Sequence, residues 1–328
     1  MTRLRDIGER AAVELLLGMF DRRHPIGLGH DVGVVDWGDD YLVITTDAVN
    51  PRTHIPVGAT AQQVGWYLVA ANLSDIAASG ATPLGFVGAL SLPADLDVEY
   101  LRGLALGIEE CAKEFGIPVL GGDTKEADVM SLAGTAVGRV PKSRILLRTG
   151  AKPGDAIVVT GDLGRAGLAY QQLANPVQRT DALRSLMRPY PRIAEGRAFS
   201  ESGGVTSCTD LSDGLALSLG HMAAMTHLSY VVEWDALPVY RDLEHLAQPQ
   251  RKEIVLYTGG DYELLATVKP EGIDRLRALG AQRGRDRGAR VSVIGRVETS
   301  GGNVLLTKGG REPLLMKGWE HFRPSHSG

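Results

Sequence analysis

Cysteine is nearly missing from this chain: in 328 residues only Cys111 and Cys208 occur. Two thiols so far apart in sequence give neither a disulfide framework nor a C-x-x-C metal knuckle, and they suggest a reducing, cytoplasmic setting. No apolar run reaches the roughly 20 residues that a membrane helix needs. The opening "MTRLRDIGERAAVELLLGMF" lacks the unbroken apolar region and cleavage site of a signal peptide, and reads as an amphipathic helix. An excess of basic charge is also lacking, with 35 Lys and Arg against 39 Asp and Glu and a net charge of −4. That balance leaves no electrostatic footprint for nucleic acid. Several catalytic signatures are absent too: no G-x-x-x-x-G-K-[ST] phosphate loop, no H-E-x-x-H, no G-x-S-x-G elbow. "GLGHDVG" places its last glycine one position too late for a dinucleotide fingerprint.

What the sequence does have is glycine, 41 residues of it, much of it beside acids. A hydrophobic share of 44% and a charged share of 23% are those of a globular chain. The length allows two domains, each with its own core. "YLVITTDAV" reads as a strand running into Asp47. "ATAQQVGWYLVAANLSDIAASGA" has helical spacing, with Thr60 as N-cap and Gly80 as stop. "PLGFVGALSLP" is a strand, "DVEYLRGLALGIEECAKEFG" a helix, "IPVLGGDT" a short buried strand and "VMSLAGTAVGRV" another strand. The polar segment "LLRTGAKPGD" marks a domain boundary, giving domains 1–150 and 151–328. The second half repeats strand, glycine turn and helix in "AIVVTGDLGRAGLAYQQL", then helix around a proline interruption, then "GVTSCTD" and "SDGLALSLGHMAAM". Four further strands ("YVVEWDAL", "ELLATVK", "RVSVIGRV", "NVLLTK") and the helix "EGIDRLRALGAQ" complete a mixed α/β (α+β) chain in two halves.

Acids recur at element ends. Asp47, Asp123 and Asp210 end strands, Asp75 lies late in a helix, and Asp31 sits in a glycine turn before a strand. Asp213 follows Asp210 by three residues. Each has a structural reading: a cap, an Asx-turn, a solvated face. Ser212 could itself cap the helix after "CTDLSDG". Together, carboxylates at strand ends repel unless cations lie between them, and hard oxygen ligands suit Mg²⁺ with phosphate. The set Asp31, Asp47, Asp75, Asp123, Asp210 and Asp213 therefore reads as a multi-magnesium phosphate site. "TGDLGRAG" could hold an anion on backbone N–H groups or simply be a tight connection. Arg148 and Lys125 could pair with phosphate oxygens or be solvated charges. Trp319 in "MKGWEHF" is a core plug or a lid, the core being the stronger reading from sequence.

In order along the chain, "TTDAV" with His54, "AANLSDIAASGATP", "VLGGDT", "RTGAKPGDAIVVTGDLG", "DLSDGLALSLG", "GGDYELL" and "KGWEHF" resemble the thiamine-monophosphate kinase family. That family lies in the AIR-synthase-like, or PurM-like, superfamily. The resemblance runs from about Asp31 to Trp319. It implies a two-domain architecture: an N-terminal mixed sheet with helices forming the dimer and ATP site, and a C-terminal α/β domain. It implies transfer of the ATP γ-phosphate to thiamine phosphate, a homodimer, and several Mg²⁺ ions. By position, Asp31, Thr45, Thr46, Asp47, Asp75, Asp123, Asp210 and Asp213 would hold metal. Gly122, Asp123, Arg148 and Ser212 would contact ATP, and His54 and Trp319 the acceptor. No general base is implied, because a phosphate acceptor is already largely ionised at neutral pH.

Two positions depart from the family pattern. His30 stands in "GHD" where "GDD" is usual, and "GGDYELL" lacks the glutamate of "GGEDYEL", with Gly260 or Asp261 there instead. A related enzyme acting on a different phosphorylated metabolite is therefore an alternative. Relatives needing a C-terminal or an early cysteine fit poorly, since the chain ends "RPSHSG" and Cys111 lies inside a helix. A nucleotide-binding paralogue without catalysis would have lost several of the acids, all of which are present.

Overall fold

The computed structural model describes residues 2–20, 25–283 and 289–322, so the final "RPSHSG" lies outside the described residues. The first half runs α1 (Leu4–Met19), β1 (Gly33–Trp37), β2 (Asp40–Val49), α2 (Ala61–Ala78), β3 (Thr82–Leu92), α3 (Val98–Glu114), β4 (Val119–Glu126) and β5 (Ser131–Pro141). These strands form a sheet of order β1-β2-β5-β3-β4, antiparallel except for the parallel β3–β4 edge. The second half runs β6 (Ala156–Thr160), α4 (Arg165–Gln172), α5 (Arg179–Met187), α6 (Ile193–Ser202), β7 (Val205–Asp210), α7 (Leu215–Thr226), β8 (Ser229–Glu233), α8 (Gln248–Tyr257), β9 (Leu264–Val268), α9 (Ile273–Arg283), β10 (Val291–Glu298), β11 (Val304–Thr307) and β12 (Gly310–Pro313). Its sheet has the order β12-β11-β8-β10-β6-β9-β7. Residues 142–155 carry the chain from one sheet to the other.

The element that matters most for the site is α2. Thr60 caps it by accepting the Gln63 N–H, and Gln63 reaches back to the Thr60 N–H, a reciprocal box worth about 1 kcal/mol. Gly80, at φ 72°, turns the chain out after it, as the sequence predicts. The helix is apolar nearly all round, which is the pattern of an element covered on every side. It packs on β2, β3 and β5, on α3, and on α5, α6 and β7 from the second half. The first core accordingly extends past the sheet to Ala182, Leu186 and Met187 of α5. Ala77 and Ala78, at the far end of α2, join Phe199, Val158 and Leu264 in a bridging cluster. A separate core around Ile157, Leu215, Tyr230, Leu265 and Ile294 supports the second sheet.

Three local expectations are corrected. β4 is not buried: every residue in it is exposed, because it is the sheet's outer strand. Ser212 does not cap α7, whose N-cap is Gly214 at φ 105°, a backbone angle that L side chains rarely adopt. The opening helix is interrupted at Gly8, where φ is 77°.

Candidate active site

Side chains alternate across a strand, so Thr45 and Asp47 of β2 share one face and Thr46 takes the other. The hydrogen bonds follow that division. Thr45 Oγ1 donates to Asp75 Oδ2 of α2 at 2.5 Å, whereas Thr46 Oγ1 donates to the Gly134 carbonyl at 2.8 Å. Asn72, one helical turn before Asp75, accepts the Asp47 backbone N–H at 3.2 Å and donates to Leu68 O. Gly134 makes that approach possible, since a Cβ there would lie 2.4 Å from Asn72 Nδ2 and 2.8 Å from Phe86. Ser74 Oγ then donates to Asp210 Oδ2 at 2.6 Å, tying α2 to the end of β7 in the second half.

Asp31 enters from the glycine turn before β1. Its Oδ1 accepts from Arg148 Nη2 at 2.8 Å, from Arg148 Nε at 3.2 Å and from Thr209 Oγ1 at 2.7 Å. Arg148 also reaches the Gly29 carbonyl and Thr209. His30, the departure in "GHD", has a structural use: its Nε2 meets Ile26 O at 3.1 Å and its Nδ1 meets the Arg148 backbone N–H at 3.3 Å. A single tautomer, protonated on Nε2, satisfies both contacts. It fastens the acidic turn to the segment that carries Arg148.

The result is a crowded set of carboxylates. Ligand oxygens of Asp31, Asp75 and Asp210 lie within 4.8 Å of one another. Burial first, and then its acidic neighbours, push Asp75 well above the ordinary carboxylate range. Burial and Asp31 raise Asp47 to about 6 and Asp210 to about 7. Burial and the Glu9 carboxylate raise Asp213 to about 6. Arg148 is the cation that partners Asp31 here, and one guanidinium cannot neutralise so many acids. Buried, mutually repelling, all-oxygen ligands match a hard divalent cation, and Mg²⁺ fits this donor set. Of the described residues, Asp31, Asp75 and Asp210 present oxygens close enough together to share such an ion; Asp47 lines the adjoining cavity, and Thr45 is hydrogen-bonded to Asp75.

A cavity opens beside this cluster, lined by Asp47, His54, Tyr67, Asp210, Ser212 and Tyr262 among others. Burial, with help from His321, lowers His54 to about 4 and keeps it neutral. Its ring lies 5.3 Å from that of His321, which meets Trp319 edge-on at 5.8 Å. Trp319 is 42% exposed, so it is no core plug. Its backbone N–H donates to Asp213 O at 3.2 Å, and α1 anchors the same segment through Glu9–His321 and Arg10–Glu320.

Gly122, Asp123 and Lys125 lie apart from this gathering. They sit on exposed β4, where Asp123 pairs with Lys125 at 3.4 Å. Register places Asp47, Gly134, Gly88 and Gly122 in one row across the sheet, so β4 is three strand spacings, roughly 14 Å, from β2. The "TGDLGRAG" turn does hold an anion on its backbone, and the anion is the protein's own: Asp261 accepts from the N–H groups of Gly164 and Ala166. Both cysteines are buried free thiols. Sequence reasoning missed Asn72, Ser74, Thr209, Tyr67 and Tyr262. For the first two a signal existed in the helical spacing around Asp75. For the tyrosines there was none: nothing local shows which side of the apolar helix carrying Tyr67 meets a cavity, and the left-handed backbone that turns Tyr262 inward lies in the loop before β9 with no sequence mark of its own.

Among the described residues, no helix is long and apolar enough to cross a membrane. Residues 29–140 match the model of the AIR synthase related protein N-terminal domain, and residues 152–308 that of its C-terminal domain. The chain is 34% identical to the thiamine-monophosphate kinase of Pyrococcus horikoshii, over 98% of each protein. Among solved structures, that of AaThiL complexed with AMPPCP and TMP superposes with a TM-score of 0.83 at 25% identity, covering 98% of this chain and 99% of that one. The thiamine-monophosphate kinase of Stenotrophomonas maltophilia matches with a TM-score of 0.74 at 30% identity, over 92% and 96% of the two chains. The carboxylate cluster shared between two sheets thus sits in a two-domain AIR-synthase-type frame, and the chain belongs to the thiamine-monophosphate kinase family.

Proposed function

We propose that this protein phosphorylates thiamine phosphate to thiamine diphosphate at the expense of ATP, by direct in-line transfer between two phosphates. The observation that carries the reading is the gathering of Asp31, Asp75 and Asp210 beside a cavity lined by Asp47, Asp75, Asp210 and His54, the last linked through the His321 ring to Trp319. The names of the relatives support the same substrates. Magnesium bound at the carboxylates would supply charge neutralisation for the polyphosphate and the developing transition state. The residues of the chain do the rest. Thr45 and Ser74 fix the orientations of Asp75 and Asp210, Arg148 holds Asp31, and Asn72 fixes the backbone at Asp47. His54, held neutral, gives the acceptor an uncharged partner. No side chain is assigned as general base, since the acceptor oxygen is already ionised.

Gly122, Asp123, Arg148 and Ser212 are proposed to contact ATP, with Thr46 and Asp213 completing the metal environment. We assign a homodimer formed through the first sheet. It is supported by the open β4 edge, which exposes Val119 and Leu120 and leaves Asp123 and Gly122 at the surface. We place the domain division at 150/151, a reading supported by the change of sheet between residues 142 and 155. The reduced, buried thiols suit a cytoplasmic enzyme. The missing glutamate of the family pattern, with Gly260 or Asp261 in its place, favours a second reading, a different phosphorylated acceptor. A coupled ADP-release assay over a panel of acceptors, with and without Mg²⁺, decides. Turnover that needs both thiamine phosphate and Mg²⁺ is expected. Equal activity with unphosphorylated thiamine, or turnover only with another phosphorylated metabolite, overturns the primary reading.

A further inference from the structure

Tyr262 is one of three non-glycine residues with positive φ among the described residues, at 51°. A bulky side chain there carries a cost on the order of 1 kcal/mol, so something must hold it. Its N–H donates to Leu211 O at 3.0 Å, and its ring meets that of Tyr67 edge-on, 5.9 Å between centroids at 83°. The two phenolic oxygens are 2.6 Å apart. Both rings line the cavity that also contains Asp47, Asp75, Asp210 and His54.

Proton counting shows what the pair can do. Two phenols own two O–H protons, and their mutual bond uses one. The second proton has no acceptor among the described residues: Asp47 is near enough to act on both phenols electrostatically, yet no hydrogen bond joins them. Burial pushes both phenols up, so at neutral pH they are donors and not phenolates. An uncommitted O–H beside a carboxylate cluster can serve an anionic oxygen brought in with the ligand. Chaining the first hydroxyl to the second also polarises the outer O–H and strengthens it as a donor.

We propose that the Tyr67–Tyr262 hydroxyl pair is an acceptor-binding element, one phenolic O–H donating to a phosphate oxygen of the molecule to be phosphorylated. The assignment rests on the phosphotransfer reading above. It goes to the acceptor because the cavity holds His54, linked through the His321 ring to Trp319, while of the four residues given to ATP only Ser212 lines it. The strained backbone at Tyr262 is then what aims the hydroxyl into the cavity while its neighbour Asp261 points away to cap α4.

The test uses the full-length enzyme loaded with Mg²⁺ and a non-hydrolysable ATP analogue, and the variants Tyr67→Phe, Tyr262→Phe and the double variant. A lost hydrogen bond to a charged oxygen is expected to weaken binding about tenfold or more. Inorganic phosphate is the binding probe, titrated by calorimetry, and the KM for the acceptor that wild type turns over is the kinetic one. One single variant should lower phosphate affinity and raise acceptor KM about tenfold, with the KM for ATP unchanged. The double variant should be no worse than that single variant, because only one O–H reaches the ligand. A shift in melting temperature with no change in acceptor KM or phosphate affinity would show a purely structural pair and overturn the proposal. So would a defect confined to ATP, or an absence of phosphate binding in wild type. Failure of thiamine phosphate as substrate overturns the choice of acceptor alone, since phosphate binding in the loaded enzyme is read independently of it.

Discussion

Replacing Arg148 by methionine isolates the electrostatic logic of the site. Two of its N–H groups meet Asp31 Oδ1, at 2.8 and 3.2 Å, and the Asp31 side chain is only 3% exposed. Taking away one partner of a buried ion pair leaves an uncompensated charge, a loss of about 3–5 kcal/mol. Asp31 keeps the Thr209 hydroxyl, and Arg148 itself is partly exposed, so the lower end of that range applies. For a domain of this size, about 3 kcal/mol lowers the melting temperature by roughly 6–12 °C. The deficit should depend on metal. A divalent cation among the carboxylates replaces the missing positive charge, and its binding adds stability as RT ln(1 + [L]/Kd), about 2.7 kcal/mol at a hundredfold excess over Kd. Thermal unfolding of wild type and Arg148→Met, each in EDTA and in saturating Mg²⁺, gives four melting temperatures. A gap that is wide in EDTA and narrows in Mg²⁺ is expected. A gap equal in both, or none in either, would refute the idea that Arg148 and metal neutralise the same acids.

Other expectations follow from the same geometry. Asp47, Asp210 and Asp213 have folded values of about 6 to 7 against an unfolded value near 4. The folded state therefore binds more protons across that window, and metal-free stability should fall as pH rises from about 4 to about 7. Thermal unfolding in EDTA at several pH values checks this: Asp210→Asn should flatten the slope, and an unchanged slope counts against the raised Asp210. Gly134→Ala should destabilise by about 1–3 kcal/mol through overpacking against Asn72 and Phe86. It should also lower kcat more than the Asn72-independent fold requires, so steady-state kinetics at a temperature where the variant is fully folded is the check.

How much of this could be read from the chain varies with the range of the interaction. The strand before Asp47, the capped α2 and the turn at Gly80 are set by local pattern, and each forms where its residues predict. Asp31, Asp75 and Asp210 could be grouped because acids recurring in glycine-rich turns and at element ends repel one another unless a cation lies between them, and the fold brings the oxygens of these three together. β4 misled because "IPVLGGDT" has the composition of a covered strand, while sheet position, a property of the whole chain, leaves it at the edge. Arg148 could be selected as functional but not given its partner, since the Asp31 contact joins residues from opposite ends of the first half. Trp319 shows the same limit: its exposure is decided by the packing of α1 and the "LSD" turn, neither adjacent in sequence.

Helix α2 carries Trp66, which reaches Pro189 O, and Tyr67, which reaches Tyr262, and then Asn72, Ser74 and Asp75, which touch β2, β7 and the carboxylate centre in turn. It therefore acts as a ruler laid across both sheets, with the graduations fixed by helical pitch. Adding or deleting one residue between Tyr67 and Asn72 would turn everything downstream by about 100° and shift it by about 1.5 Å. Asp75 would leave Thr45, and Ser74 would leave Asp210, in a single stroke. Length variation in this protein should be tolerated in the surface turns and forbidden inside this one helix.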